Sequence, residues 1–120
     1  MPEACPPLVA CLCAAWCGSC REYQPLFARL EASFPEVVFA WVDIEDHADV
    51  VGDIDVEDFP TLLIAIGAEV VFLGPVTPHL ATAERLLRSA LDGALNRVRD
   101  AGAVELAGRV RRLRADEGGE

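Results

Sequence analysis

The hydrophobic pattern divides the chain into short buried strands and amphipathic helices. Leu8–Cys13 is an unbroken apolar run and reads as a buried strand. Gly18–Phe34 is amphipathic and reads as a helix that bends at Pro25, a residue that lacks an N–H and crowds the preceding turn. Val37–Asp43, rich in valine and aromatics, is a second strand. Asp46–Val51 forms a short helix in this reading. Thr61–Ile66 and Glu69–Leu73 are strands joined by a tight Gly67-Ala68 turn, a hairpin. Thr77 and Pro78 open the next helix, with threonine as N-cap and proline at the first helical position. Leu80, Ala83, Leu87, Ala90, Leu91, Ala94 and Val98 then trace one helical face. Ala103–Ala115 is a further helical segment with Val104, Leu106, Val110 and Leu113 as its apolar positions, against which Gly102 and Gly108 weigh.

Strands and helices mixed in this way predict an α/β fold in a single domain. Residues 1–7, with three prolines, are an irregular arm; 8–98 form the core; 99–120 are a helical or flexible extension. The length of 120 residues suffices for one buried core. A hydrophobic content of 52% and a mean hydropathy of +0.28 exclude disorder. The net charge of −10 argues against nonspecific nucleic-acid binding. No apolar stretch reaches the ~18 residues of a membrane span. The first residues carry no lysine or arginine, so no signal peptide is expected. Leu8-Val9-Ala10-Cys11 superficially resembles a lipoprotein cleavage site, but cleavage there would remove most of the first strand. Five cysteines without an export signal point to a reducing compartment, the cytoplasm. Arg109, Arg111, Arg112 and Arg114 gather near the C-terminus, while Asp43–Asp58 carries eight carboxylates. The basic tail reads as a solvated helix face, with docking onto the acidic loop or a partner as the alternative.

Cys17-Gly18-Ser19-Cys20 changes the picture. Two cysteines three apart can close a small disulfide and reopen it. The Gly-Ser insert lets the backbone turn into a helix directly after the first thiol. There the unpaired N–H groups and the positive dipole end favour thiolate, the reactive form. C-x-x-C also serves zinc sites. The strand before it and the helix after it place the pair at a strand's C-terminal end, where open α/β sheets keep their active sites. Asp58-Phe59-Pro60-Thr61 precedes another apolar run, and a proline there is compatible with a strand start and a cis bond.

Together these residues resemble the thioredoxin family. Trp16-Cys17-Gly18-Ser19-Cys20-Arg21 is similar to its active-site motif, Pro25 to its helix-kinking proline, and Phe59-Pro60-Thr61 to its cis-proline loop. The resemblance runs from about Leu8 to Leu95 and implies a trimmed thioredoxin fold, a central mixed four-stranded sheet flanked by helices. It implies a thiol–disulfide oxidoreductase acting on protein disulfides, with electrons from a reductant such as a reductase. No organic cofactor is implied beyond a redox-active Cys17–Cys20 disulfide. Cys17 would attack a substrate disulfide, and Cys20, one turn later and less exposed, would resolve the mixed disulfide. Trp16, Gly18, Ser19, Phe59 and Pro60 would line the substrate groove, with Phe59 offering backbone to an extended peptide.

The chain departs from the family at two buried positions. Cys11 stands where typical members keep an aspartate below the dithiol, and Trp41 where they keep a lysine. A buried thiol has a raised pKa and is a poor proton acceptor. Cys11 and Cys13 lie two apart on one strand, face the same side and are badly spaced for a mutual disulfide. They read as small buried hydrophobes set away from the dithiol. Cys5 reads as an exposed thiol, Trp41 as a core or sheet-surface residue, and His47 and His79 lack metal-ligand spacing. One rival reading is an adaptor or chaperone that binds a partner at Phe59-Pro60 without turnover. Another is a metal site on Cys11, Cys13, Cys17 and Cys20, a C-x-C-x₃-C-x₂-C run.

Overall fold

In the computed structural model the described residues are 6–14, 18–51, 60–67, 69–77 and 79–118. Four strands, β1 (Leu8–Cys13), β2 (Val38–Asp43), β3 (Thr61–Ile66) and β4 (Glu69–Pro75), form one sheet in the order β2-β1-β3-β4. β1 pairs with β2 in parallel and with β3 antiparallel, and β3 pairs antiparallel with β4. This is the mixed four-stranded sheet expected from the sequence. All six residues of β1 are buried, because helices cover both faces of this inner strand. That double burial explains the unbroken apolar run.

The alternation along β1 sorts its side chains into two cores. Val9, Cys11 and Cys13 face one helical layer, while Leu8, Ala10 and Leu12 face the other. The first layer holds α1 (Gly18–Ser33) and α3 (Leu80–Leu91). The helix α1 turns Cys20, Tyr23, Phe27 and Leu30 inward, at the three- and four-residue spacings that keep side chains on one face. Pro25 lies inside α1 on its exposed side, where the carbonyl four residues back that loses its donor is open to water. The Phe27 ring meets Phe39 and Trp41 edge-on, at centroid distances of 5.4 and 5.6 Å. Trp41 thus belongs to the core margin, as expected.

The helix α3 begins later than its sequence signals suggest. His79, not Thr77, is its N-cap, with no capping side-chain bond. The Thr77 carbonyl instead accepts the His79 N–H at 2.8 Å, and the Thr77 hydroxyl lies 3.3 Å from that of Thr82. Pro78 lies outside the described residues. The helix also stops before Ala94. Gly93 takes a φ of +79°, its N–H bonds the Ala90 carbonyl at 3.1 Å, and the Ala94 N–H bonds that of Ser89 at 2.9 Å. These are the paired bonds of a Schellman end, which needs a residue free to enter the left-handed region. Val98 is therefore not on α3; its N–H reaches back to the Val70 carbonyl on the edge strand at 2.7 Å.

The opposite face of the sheet is covered by α4 (Ala101–Gly118), with the short α2 (Ala48–Val51) beside it. Asp100 caps α4, its carboxylate accepting the Gly102 N–H at 2.9 Å. The buried face of α4 is Ala103, Leu106, Ala107 and Val110. Val104, expected to be apolar contact, is instead 44% exposed, because two alanines let the helix sit one position round. The Arg111 guanidinium donates to the Pro6 carbonyl and to the Gly67 carbonyl, both at 2.9 Å. Arg109 meets Glu105 on its own helix at 3.6 Å. Arg111 thus ties the helix to the body through carbonyl groups.

Candidate active site

The sheet order places three elements at one end. β1 ends at Cys13, α1 starts at Gly18, and β3 starts at Thr61. Leu12 stands opposite Thr61 in the antiparallel ladder, and Cys13 and Pro60 are the residues just beyond that last pair. Pro60 is buried, and its carbonyl accepts the Val76 N–H at 3.0 Å. Gly18 is exposed and Ser19 half-buried on the first turn of α1. Ala15, Trp16, Cys17 and Phe59 lie outside the described residues. The expected nucleophile, the tryptophan wall and the peptide-presenting Phe59 are therefore not placed.

Cys20 sits in the first turn of α1 at 1% exposure, on the buried side as expected. Its sulfur is bonded to Cys13, with the two Cα atoms 5.8 Å apart. The sequence pointed to Cys17 as the partner of Cys20, and to Cys13 as an inert residue set away from the pair. The structure instead joins Cys13 to Cys20. The reason is the pleat of β1. Cys13 projects from the strand's last position into the layer of α1, and Cys20 projects from the first turn of α1 toward the strand. A Cα separation near 5.8 Å is common for disulfides.

Cys11 lies one pleat deeper. It is a free thiol, fully buried, with its sulfur 3.6 Å from that of Cys13. Because the Cys13 sulfur is bonded to Cys20, the Cys11 S–H is the donor of this weak hydrogen bond. Burial pushes the Cys11 thiol far above its ordinary pKa. Burial, and secondarily the nearby Cys11, also pushes up the phenol of Tyr23. The Tyr23 hydroxyl is buried without a hydrogen-bond partner among the described residues. In register, Cys11 pairs with Trp41 of β2, so the two positions that depart from the expected acid and base are neighbours. The floor of the site is thus three sulfurs and a phenol, with no carboxylate among its described side chains.

The family model for thioredoxin matches residues 3–74, more than half of the chain. The chain belongs to the thioredoxin family. A thioredoxin H-type from Picea mariana is 44% identical over 50 residues, 42% of this chain and 40% of that protein. The thioredoxin of Trypanosoma brucei brucei superposes with a TM-score of 0.63 at 26% identity, covering 72% of this chain and 75% of that one. The oxidized mitochondrial thioredoxin 3 of Saccharomyces cerevisiae gives 0.62 at 23% identity, over 69% and 77%. The chain spans under half the length of the first curated thioredoxins it matches.

Within this thioredoxin-family chain, Cys13 is the residue that sequence reasoning missed. Two signals bear on it. Cys20, Tyr23, Phe27 and Leu30 mark the inward stripe of α1, and Cys13 is the last residue of the strand that stripe packs on. Among the described residues, no group of three or more histidine, cysteine or acidic side chains is placed to hold a metal ion. None of the described helices is long and apolar enough to cross a membrane.

Proposed function

We propose that this thioredoxin-family protein is a thiol–disulfide oxidoreductase for protein disulfides, working through Cys17 and Cys20. The observation that carries this reading is the position of Cys20. It lies in the first turn of a helix that follows a central strand, with its sulfur bonded to that of Cys13. Cys17 immediately precedes the first helical residue in sequence. Its thiolate attacks a substrate disulfide, forming a mixed disulfide and releasing one substrate thiolate. Cys20 then attacks the Cys17 sulfur, freeing the second substrate thiolate and closing Cys17–Cys20. A reductant, such as a reductase, reopens that bond. Gly18, Ser19, Trp16, Phe59 and Pro60 frame an extended peptide on this reading. The cytoplasm is the compartment it implies.

Cys20→Ser tests the reading directly. Without the resolving thiol, mixed disulfides accumulate, and nonreducing gels of cell extract show adducts that vanish under dithiothreitol. Cys17→Ser should abolish both the adducts and disulfide reduction. A well-expressed Cys20→Ser variant with no adducts supports the second reading, an adaptor that binds without turnover. The observation in favour of that alternative is the cysteine floor, where a sulfur replaces a proton-accepting carboxylate.

A further inference from the structure

The Cys13–Cys20 bond has a chemical consequence for exchange at the site. Both sulfur-bearing residues are about 1% exposed, so no large reductant or oxidant in water touches that bond directly. Exchange with a neighbouring thiol, or entry of a small oxidant such as diamide, is the route in that leaves the fold intact. Cys20 is the shared member of both pairs, the one expected from the motif and the one observed.

We propose that Cys13 is a third redox-active thiol, which takes Cys20 out of the Cys17–Cys20 disulfide and holds it in a buried Cys13–Cys20 bond. This rests on the reading of Cys17 and Cys20 as the exchanging pair. In the step, Cys13 gives up its proton and its sulfur attacks the Cys20 sulfur. The Cys17–Cys20 bond breaks, its electron pair leaves on the Cys17 sulfur, and that sulfur takes the proton. One disulfide is lost and one formed, so no oxidant or reductant is consumed. Cys17 directly precedes the first residue of α1 in sequence, and on the reading of it as the nucleophile its thiolate is the stabilised one, which makes it the better leaving group. The Cys11 S–H, 3.6 Å from the Cys13 sulfur, stabilises the Cys13 thiolate formed before attack and donates to that sulfur afterwards.

The exchange alters what the oxidised protein can do. Cys17 is again a thiol, while Cys20 is occupied. A partner disulfide attacked by Cys17 then gives a mixed disulfide with no resolving thiol beside it. The protein passes from a turnover catalyst to a covalent holder of its partner. Reduction of Cys13–Cys20 returns it to turnover.

The test is disulfide mapping. All five cysteines precede Arg21, the first basic residue, so trypsin leaves them in one fragment. Pepsin at low pH, where exchange stops, with tandem mass spectrometry, separates them. In folded Cys17→Ser oxidised with diamide, we expect loss of two thiols and a link joining Cys13 to Cys20. Cys11 should remain free for alkylation after unfolding, and the link should disappear in Cys17→Ser/Cys13→Ala. In oxidised wild type, a maleimide added under native conditions should label Cys17 while the disulfide content stays constant. A Cys20 that stays free in Cys17→Ser, or pairs with Cys5, Cys11 or a second chain, overturns the proposal. So does an oxidised wild type whose Cys17 never labels. Loss of the parent reading looks different: Cys17→Ser would then retain full disulfide reduction, whatever the mapping shows.

Discussion

Placing a carboxylate at Cys11 should make stability strongly pH-dependent. Cys11 is fully buried, and its cross-strand neighbour in β2 is Trp41 rather than a base. In Cys11→Asp the unfolded chain ionises near its ordinary pKa of about 3.9. In the folded chain burial raises that value, by roughly 3–5 units for a fully enclosed group. The sign follows from linkage. A carboxyl raised on folding costs nothing extra below the unfolded pKa, and the cost grows with pH until the folded pKa is passed. At pH 4 this amounts to about 0.5 kcal/mol, and at pH 7 it reaches about 4 kcal/mol, from three units at 1.36 kcal/mol each. A neutral carboxyl without good partners adds roughly 1–3 kcal/mol at both pH values. Urea titrations of wild type and variant at pH 4 and pH 7, followed by circular dichroism, isolate the pH-dependent part as the change in their difference. Adding Trp41→Lys should recover about 1–3 kcal/mol at pH 7, the usual coupling between contacting residues. An equal difference at both pH values would mean that the carboxylate reaches water. Strictly additive effects in the double variant would mean that positions 11 and 41 do not share a face.

Three further outcomes are expected. Leu106→Ala should cost about 2–5 kcal/mol in chemical denaturation, because Leu106 is fully buried under the sheet. Val104→Ala on the same helix should change stability by less than about 0.5 kcal/mol in the same titration, since Val104 is 44% exposed. Arg111→Ala removes two hydrogen bonds from a partly exposed guanidinium and should cost about 1–2 kcal/mol, read as a lowered urea midpoint.

The parts of the fold legible in sequence are those where one physical cause dominates. β1 and β3 were legible because burial on both faces leaves no room for polar residues. The extent of α1 was legible from its amphipathic character, although its inward residues were not singled out. The end of α3 was not, although Gly93 marked it. The apolar spacing continues through Ala94 and Val98, and periodicity outweighed the one residue that could leave the helix. Thr77 looked like a cap, but its carbonyl and hydroxyl are used locally, and the helix starts after it. On α4 the alanines were discounted as contact residues, so the face was drawn through Val104 instead of Ala103 and Ala107. At the site, the motif pointed to Cys20, which lies on the buried side of α1, and to Pro60, which is buried. Alternation along β1 placed Cys11 and Cys13 on one side. Which helix lies on that side is a property of the assembled sheet, and that is why Cys13 was not recognised as a partner for Cys20.

The lateness of α4, the main cover of the second sheet face, has a consequence for synthesis. β1 finds its antiparallel partner only when β3 has been made, since Leu12 sits opposite Thr61. Once β4 has emerged the sheet can close, and α3 can cover the side that carries the cysteines. Leu8, Ala10, Leu12, Val42 and Leu63 on the other side still lack the cover supplied by Ala103, Leu106 and Val110. At roughly 5–20 residues per second, the interval between those stages lasts on the order of seconds. During it the nascent chain presents a paired sheet with one apolar side that only the short α2 borders. Pausing within the codons for α4 would prolong that state, and a frameshift there would make it permanent. The rate at which α4 is translated therefore sets how long each new molecule is open to capture by chaperones or by its neighbours.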